Sequence, residues 1–236
     1  MQLPVKEKTI MIVFNAKGPS AQMARTVLKM PRAAASNEPS LQALKSAATR
    51  ARLIDATIRC IIKHGYSRTT TPRVAEEAGL SRGAMLHHFE NGGSLMQAAI
   101  AELHEKRLRA FRRSAANTVH DVRRLVRAYW KQVSGETFTA FHELALAART
   151  DRDLAVILAP AQEEFRSRWY HEAIEMFPEW QGDRARFDLA LALSQNVLEG
   201  MAINRITHGL DERMVEPILA DLERQIEALK PNTAKN

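Results

Sequence analysis

Two short apolar-periodic segments, Pro72–Ala78 and Arg82–Phe89, are joined by only Gly79-Leu80-Ser81. Two helices on so short a link meet steeply only if the contact residue is small and the link accepts a positive φ. Ala75 supplies the first and Gly79 the second. Val74, Ala78, Leu80 and Met85 then form a small core against a preceding helix. That helix is expected over Ala47–His64, with Leu53, Ile54, Thr57, Ile58, Ile61 and Ile62 on its inner side and Gly65 as a left-handed stop. A threonine of Thr69-Thr70-Thr71 caps the first short helix, and Pro72 suits its first turn because that N–H is unpaired anyway. Ser81 caps the second.

The second helix therefore presents its N-terminus, Ser81-Arg82-Gly83-Ala84, outward. Small residues let the backbone approach base edges, Arg82 can bond guanine or a phosphate, and free N–H groups at a helix start attract phosphate. Thr70, Thr71, His87 and His88 offer backbone contacts that position the reader without specifying sequence. The charge distribution agrees. Residues 1–113 hold 19 Lys+Arg against 8 Asp+Glu, whereas the remainder holds 15 against 19, so the net +7 sits on the half that would meet a polyanion.

The pattern elsewhere is helical. With 10 Gly and 9 Pro in 236 residues and no period-two run, about nine helices are expected and no strands. After the break at Glu90–Gly93 they run Leu95–Arg113 (capped by Ser94), Val119–Val133, Glu136–Arg149, Arg152–Phe177 (capped by Asp151 and bent at Pro160), Asp183–His208 (stopped by Gly209) and Glu212–Leu229. Pro178 to Gly182 reads as a loop. In the last helix, Pro217 fits only the first turn. The fold class is all-α. The domains are a disordered basic leader over 1–45, a helix-turn-helix domain over 46–93, a larger regulatory and dimerisation domain over 94–229, and a disordered tail over 230–236.

The stretch Thr69–Phe89, with Ala78-Gly79-Leu80-Ser81-Arg82-Gly83-Ala84 at its centre, resembles the DNA-binding domain of the TetR family. The plan around it, with one helix before, a connecting helix after and five more beyond, is similar too. The resemblance implies a homodimeric regulator on a palindromic double-stranded DNA operator, with a small-molecule effector in the larger domain. Two positions depart from the family pattern. Leu86 stands where tyrosine is usual, and Asn91-Gly92-Gly93 stands where a lysine follows the His-Phe pair. Both family residues grip phosphate, so His87, Arg50, Arg52 or Arg68 would have to supply the lost contact.

In the larger domain, the helix over 183–208 is apolar on more than one face. It and the last helix carry the expected dimer residues Val197, Leu198, Met201, Ile218, Leu222 and Ile226. The expected effector residues are Trp130, Phe138, Phe141, His142, Phe165, Trp169, Asn196 and Met201, which implies a mainly apolar or aromatic effector. No metal-ligand spacing, phosphate-cradling glycine loop or nucleophile elbow occurs, so no metal, cofactor or catalytic residue is assigned. His104-Glu105 beside Glu102 reads as a solvated face. A single cysteine, Cys60, in an apolar helical stretch fits a buried thiol and a reducing, cytoplasmic setting. No apolar run approaches a membrane span. Two alternatives stay open: a regulator with no small effector, and a helical ligand-binding protein or enzyme with a degenerate DNA domain.

Overall fold

A computed structural model describes residues 40–116 and 121–231, and among these there are nine α-helices and no strands. The expected leader, apart from its last residues, and most of the expected tail lie outside the described residues. Helix α1 (Leu41–His64) starts earlier than its apolar stripe suggests. Ser40 caps it by accepting from the Ala43 N–H at 3.1 Å, and Leu41–Lys45 are exposed. Capping starts this helix, whereas burial begins only near Leu53. Residues 41–45 are thus helical rather than part of a leader.

After a 3₁₀ turn at Tyr66–Arg68 come α2 (Thr71–Glu77) and α3 (Arg82–Leu86). Thr70 occupies the cap position of α2 without a side-chain bond, and Ser81 caps α3 by accepting from Ala84 N–H. Gly79 takes φ +61, the left-handed value that the turn requires. Helix α3 stops at Leu86 rather than Phe89, which turns into the core instead. Leu53, Ala56, Cys60, Val74, Ala78, Met85, Phe89 and Leu95 form that core, with Leu80 packed at its edge.

Helix α4 (Gly92–Ala116) is capped by Asn91, not Ser94. The Asn91 side chain accepts from Ser94 N–H at 2.9 Å while Ser94 Oγ accepts from Asn91 N–H, a reciprocal box. Then follow α5 (Val122–Val133), α6 (Glu136–Ala148), α7 (Arg152–Met176), α8 (Arg184–Ile206) and α9 (Val215–Leu229). Asp121, Asp151 and Asp183 cap α5, α7 and α8 through backbone N–H groups three residues on. Helix α7 runs on through Pro160. The expected 178–182 loop contains a 3₁₀ turn at Pro178–Trp180. After α8 the left-handed residue is His208, φ 59, and not Gly209. Pro217 lies in the first turn of α9, where its missing N–H costs nothing.

Helix α4 belongs to both halves of the molecule. Its first turns pack on α1, and Met96, Ala99, Ile100 and Leu103 share a second core with Ile58 and Ile61 of α1, Phe141 and Leu144 of α6, and Leu154 of α7. Its far end reaches the third and largest core, built from α5, α7, α8 and α9, where Phe111 packs.

Candidate nucleic-acid interface and internal cavity

Helix α3 buries Met85 and turns Arg82, Gly83 and Leu86 outward. Arg82 makes no hydrogen bond or ion pair to any described residue, so its guanidinium is available to a ligand. Ser81, His87 and Thr70 are exposed as well, and Ala84, His88 and Thr71 are half-buried. All eight residues expected at a DNA surface therefore lie on or immediately beside α2 and α3.

The arginines expected to replace missing phosphate contacts are exposed, and each also bonds a backbone carbonyl. Arg50 donates to the His88 carbonyl at 2.9 Å and stacks 4.1 Å over the Phe89 ring, fixing the exit of α3. Arg52 donates to the Gly79 carbonyl at 3.2 Å, bracing the turn itself. Arg68 donates to His64 O, and Arg73 to Arg68 O. On the far side of α2, Glu77 accepts from Arg59 and Lys63, which hold its carboxyl below the usual range. These side chains position the helix-turn-helix from within the protein.

Contacts tie this unit to the helices beyond. Tyr66 donates its N–H to Glu143 Oε1 at 2.9 Å and its hydroxyl to Asp151 Oδ2 at 2.8 Å. Burial and Asp151 push the Tyr66 phenol up to about 12. Lys106 on α4 pairs with Asp55 on α1 at 2.7 Å.

A cavity of about 110 Å³ opens among α4, α5, α7 and α8, with Phe111, Leu125, Tyr129, Trp169, Phe177, Trp180, Phe187 and Leu191 in its walls. Of the residues expected around an effector, only Trp169 lines it. Phe138, Phe141, Phe165 and Met201 are buried in packed cores. Trp130 lies 4.6 Å beneath the Arg205 guanidinium, His142 packs at a tilt against Phe138 at 3.9 Å, and exposed Asn196 donates to Ala192 O. Aromatic character alone pointed to these residues, but the packing of their helices turns them elsewhere. A signal for the wall of this cavity is present in the sequence. Val122, Leu125, Val126, Tyr129 and Gln132 fall on one face of α5 at helical spacing.

The polar groups in the wall are largely committed. Tyr129 donates to Glu199 Oε1 at 2.8 Å, and burial, then Glu199, raises its phenol well above the ordinary value. Gln132 donates to Arg107 O and Ser194 to Ala190 O. One turn back along α4, His104 and Arg107 are buried, which overturns the solvated face expected around His104. The Arg107 guanidinium sits 4.4 Å and 4.1 Å from the Phe141 and Phe165 ring centroids, clamping α4 to α6 and α7. Its Nη1 finds no partner among the described residues, and burial pulls its pKa down. His104 stacks on Phe165 at 4.8 Å, and burial holds it down to about 4.

The expected dimer residues are also redistributed. Leu198 is 0 % exposed, and Met201, Leu222 and Ile226 are buried beside it in the chain's own core, with Val197 and Ile218 half-buried against them. Helix α9 turns that apolar side onto α5 and α8, where Arg127 also pairs with Glu216 and Glu223. The open side of α8 instead carries Leu189 (49 % exposed), Ala192, Asn196, Gly200, Ile203 (41 % exposed) and Ile206, in steps of three and four. A Cβ at Gly200 would meet nothing within the chain. Among the described residues, no helix is long and apolar enough to cross a membrane, and no cluster of His, Cys, Asp or Glu could hold a metal ion.

The family model for bacterial regulatory proteins of the tetR family matches residues 53–99, from α1 into α4. An uncharacterised HTH-type transcriptional regulator of Mycobacterium tuberculosis is 33% identical over 165 residues, spanning 66% of this chain and 82% of its own. A TetR family member from Streptomyces coelicolor has the same fold over 78% of this chain and 98% of its own, with TM-score 0.52 and 22% identity. The multidrug binding protein EbrR, solved in complex with imidazole, covers 79% of this chain and 97% of its own, with TM-score 0.51 and 22% identity.

Proposed function

The chain belongs to the TetR family of DNA-binding transcriptional regulators, and from that premise we propose a homodimeric repressor that leaves its operator when a small, mainly apolar or aromatic effector enters the α4–α8 cavity. The observation that carries this reading is the double membership of α4. One end is locked to the helix-turn-helix through α1, and the other contributes Phe111 to the cavity wall. Its 25 residues make a rod of roughly 37 Å, so a small tilt at Phe111 becomes a displacement of ångströms at Gly92 and α3. In a two-fold dimer that changes the distance between recognition helices, which must sit about 34–36 Å, or a multiple of it, apart to enter successive major grooves. A dimer seated across a promoter keeps polymerase off it, which gives the repressor sense.

The size and lining of the cavity support the effector class. Cavities of about 150 Å³ accept benzene, while drug-sized ligands need roughly 300–1,000 Å³. At about 110 Å³, the space suits part or all of one ring as it stands. Anything larger must push the walls, Phe111 among them, apart. Tyr129, Gln132 and Ser194 are already bonded to the protein, and the charged wall residues Glu179 and Lys230 have partners of their own, so a charged ligand would be desolvated with little in return. EbrR, of the same fold, binds multiple drugs and was solved with a single-ring ligand.

The dimer is placed on the open α8 face, because an apolar stripe of Leu189, Ile203 and Ile206 beside Gly200 lets a second copy of α8 approach closely. The proposed DNA-contacting residues are Thr70, Thr71, Ser81, Arg82, Gly83, Ala84, His87 and His88. The test is a thermal-shift screen of single-ring and fused-ring aromatics, with each stabilising compound re-measured for release of a fluorescent operator duplex selected from random sequence. Stabilisation and release by the same aromatic compound is the expected result. Stabilisation only by highly polar metabolites refutes the cavity reading.

A further inference from the structure

Leu86 has no role in the core, and the family's tyrosine at this position would have reached phosphate. Its side chain is 48 % exposed on α3 and offers no hydrogen-bond donor or acceptor. A single exposed leucine on a protein surface needs no explanation. This one lies one turn after Arg82 and Gly83 on the exposed side of the helix, while its neighbour Met85 points into the core. Arg82 has no partner among the described residues, and Gly83 has no side chain between the backbone and solvent. The three residues form one outward row: a cation with planar donors, a bare backbone position, then an apolar side chain.

The major groove offers one apolar feature to such a row, the C5 methyl group of thymine. Resting on the DNA-binding reading above, we infer that Leu86 is a specificity-determining residue that packs against a thymine methyl in each half-site. Arg50 makes this placement firm by holding the His88 carbonyl and the Phe89 ring directly after Leu86. The side chain is therefore presented from a braced helix end rather than a loose one. The spacing follows as well. Four residues of helix rise about 6 Å, and base pairs stack about 3.4 Å apart. The thymine lies one or two steps from the base that Arg82 contacts.

The experiment uses the full chain and an operator duplex selected from a random library. Each thymine is replaced in turn by deoxyuridine, which deletes only the methyl group, symmetrically in both half-sites. One buried methyl is worth about a fourfold change in affinity, so substitution in both half-sites should weaken wild-type binding by about fifteenfold at one position. The Leu86→Ala variant should bind more weakly overall and show no loss at that position. Leu86→Met, which keeps an apolar side chain of similar reach, should retain most of the sensitivity. Leu86 is surface-exposed, so circular dichroism should show all three proteins equally folded. The inference is overturned if no uridine position weakens the wild type. It is also overturned if the sensitive position is equally sensitive in Leu86→Ala, which would place Leu86 against the sugar-phosphate backbone. If the chain enriches no duplex at all, the DNA-binding reading fails and this inference with it.

Discussion

Leu198 and Ile203 lie five residues apart on the same apolar helix, yet the structure assigns them opposite fates. Leu198 is wholly enclosed by the chain's own core, whereas Ile203 keeps 41 % of its surface open. Leu198→Ala removes buried methyl groups and leaves a void, which should cost about 2.7–5 kcal/mol of fold stability. That is a large share of the roughly 5–15 kcal/mol a domain possesses. Ile203→Arg should cost the monomer only about 0.5 kcal/mol, since a surface guanidinium can extend into water. In a two-fold dimer, however, the same change brings two unpaired cations into one apolar seam. A penalty of about 3 kcal/mol or more raises the dissociation constant over a hundredfold. Sedimentation velocity across a dilution series reads the second effect, and urea unfolding reads the first. The expected pattern is a destabilised but dimeric Leu198→Ala and a stable but monomeric Ile203→Arg. An Ile203→Arg protein that sediments as a dimer with wild-type affinity would falsify the placement of the interface on the open face of α8.

Three further outcomes are expected. Arg82→Ala should weaken operator binding by about 1–3 kcal/mol without dissociating the dimer, read by fluorescence anisotropy, while His88→Ala should give a smaller, sequence-independent loss. His104 is held at about 4 by burial and then by Arg107, below an ordinary value near 6.5. Its contribution is therefore fully present above about pH 6.5 and is lost as the pH falls toward 4, by up to about 3 kcal/mol. His104→Phe, which preserves the stack on Phe165, should lose less stability than wild type between about pH 7 and pH 4.5 in urea melts, and equal losses count against the assignment. Gly65 combines φ +77 with a position where a Cβ would lie 2.7 Å from Glu143 Oε1. Gly65→Ala should thus cost about 1–3 kcal/mol and loosen the α1–α6 contact, measurable as faster hydrogen exchange at Tyr66 N–H.

How much of this was legible in the sequence depended on the range of the interaction. The turn at Gly79, the cap at Ser81 and the small core of Val74, Ala78 and Met85 are decided within some twenty residues, and all stand as expected. Boundaries slipped where a cap sits outside the apolar stripe, as Ser40 does, or where two residues compete to cap, as Asn91 and Ser94 do. The cavity and the open face were not legible. Helix α8 is apolar on more than one side, and nothing local says which side meets α5 and α9. The pattern points to Leu198 and Leu222 for the interface and not to Leu189, because only the long-range packing of three helices separates them. Aromatic type likewise cannot separate Trp169, in the cavity wall, from Phe165 one turn earlier, which stacks on His104.

Cys60 is the one cysteine in the chain, sealed in the core between α1 and α2, with its thiol pushed up by burial and then by Glu77. A protonated, enclosed thiol reacts slowly with maleimides and methanethiosulfonates. The wild-type protein therefore already serves as a silent background for labelling. A cysteine introduced at exposed Glu90, just beyond α3, would be the sole reactive sulfur on each protomer. Two spin labels on a dimer would then report the separation of the recognition helices as a single distance distribution. Recording it with and without an aromatic compound would test the proposed spreading of the two reading heads directly, without an operator in the tube.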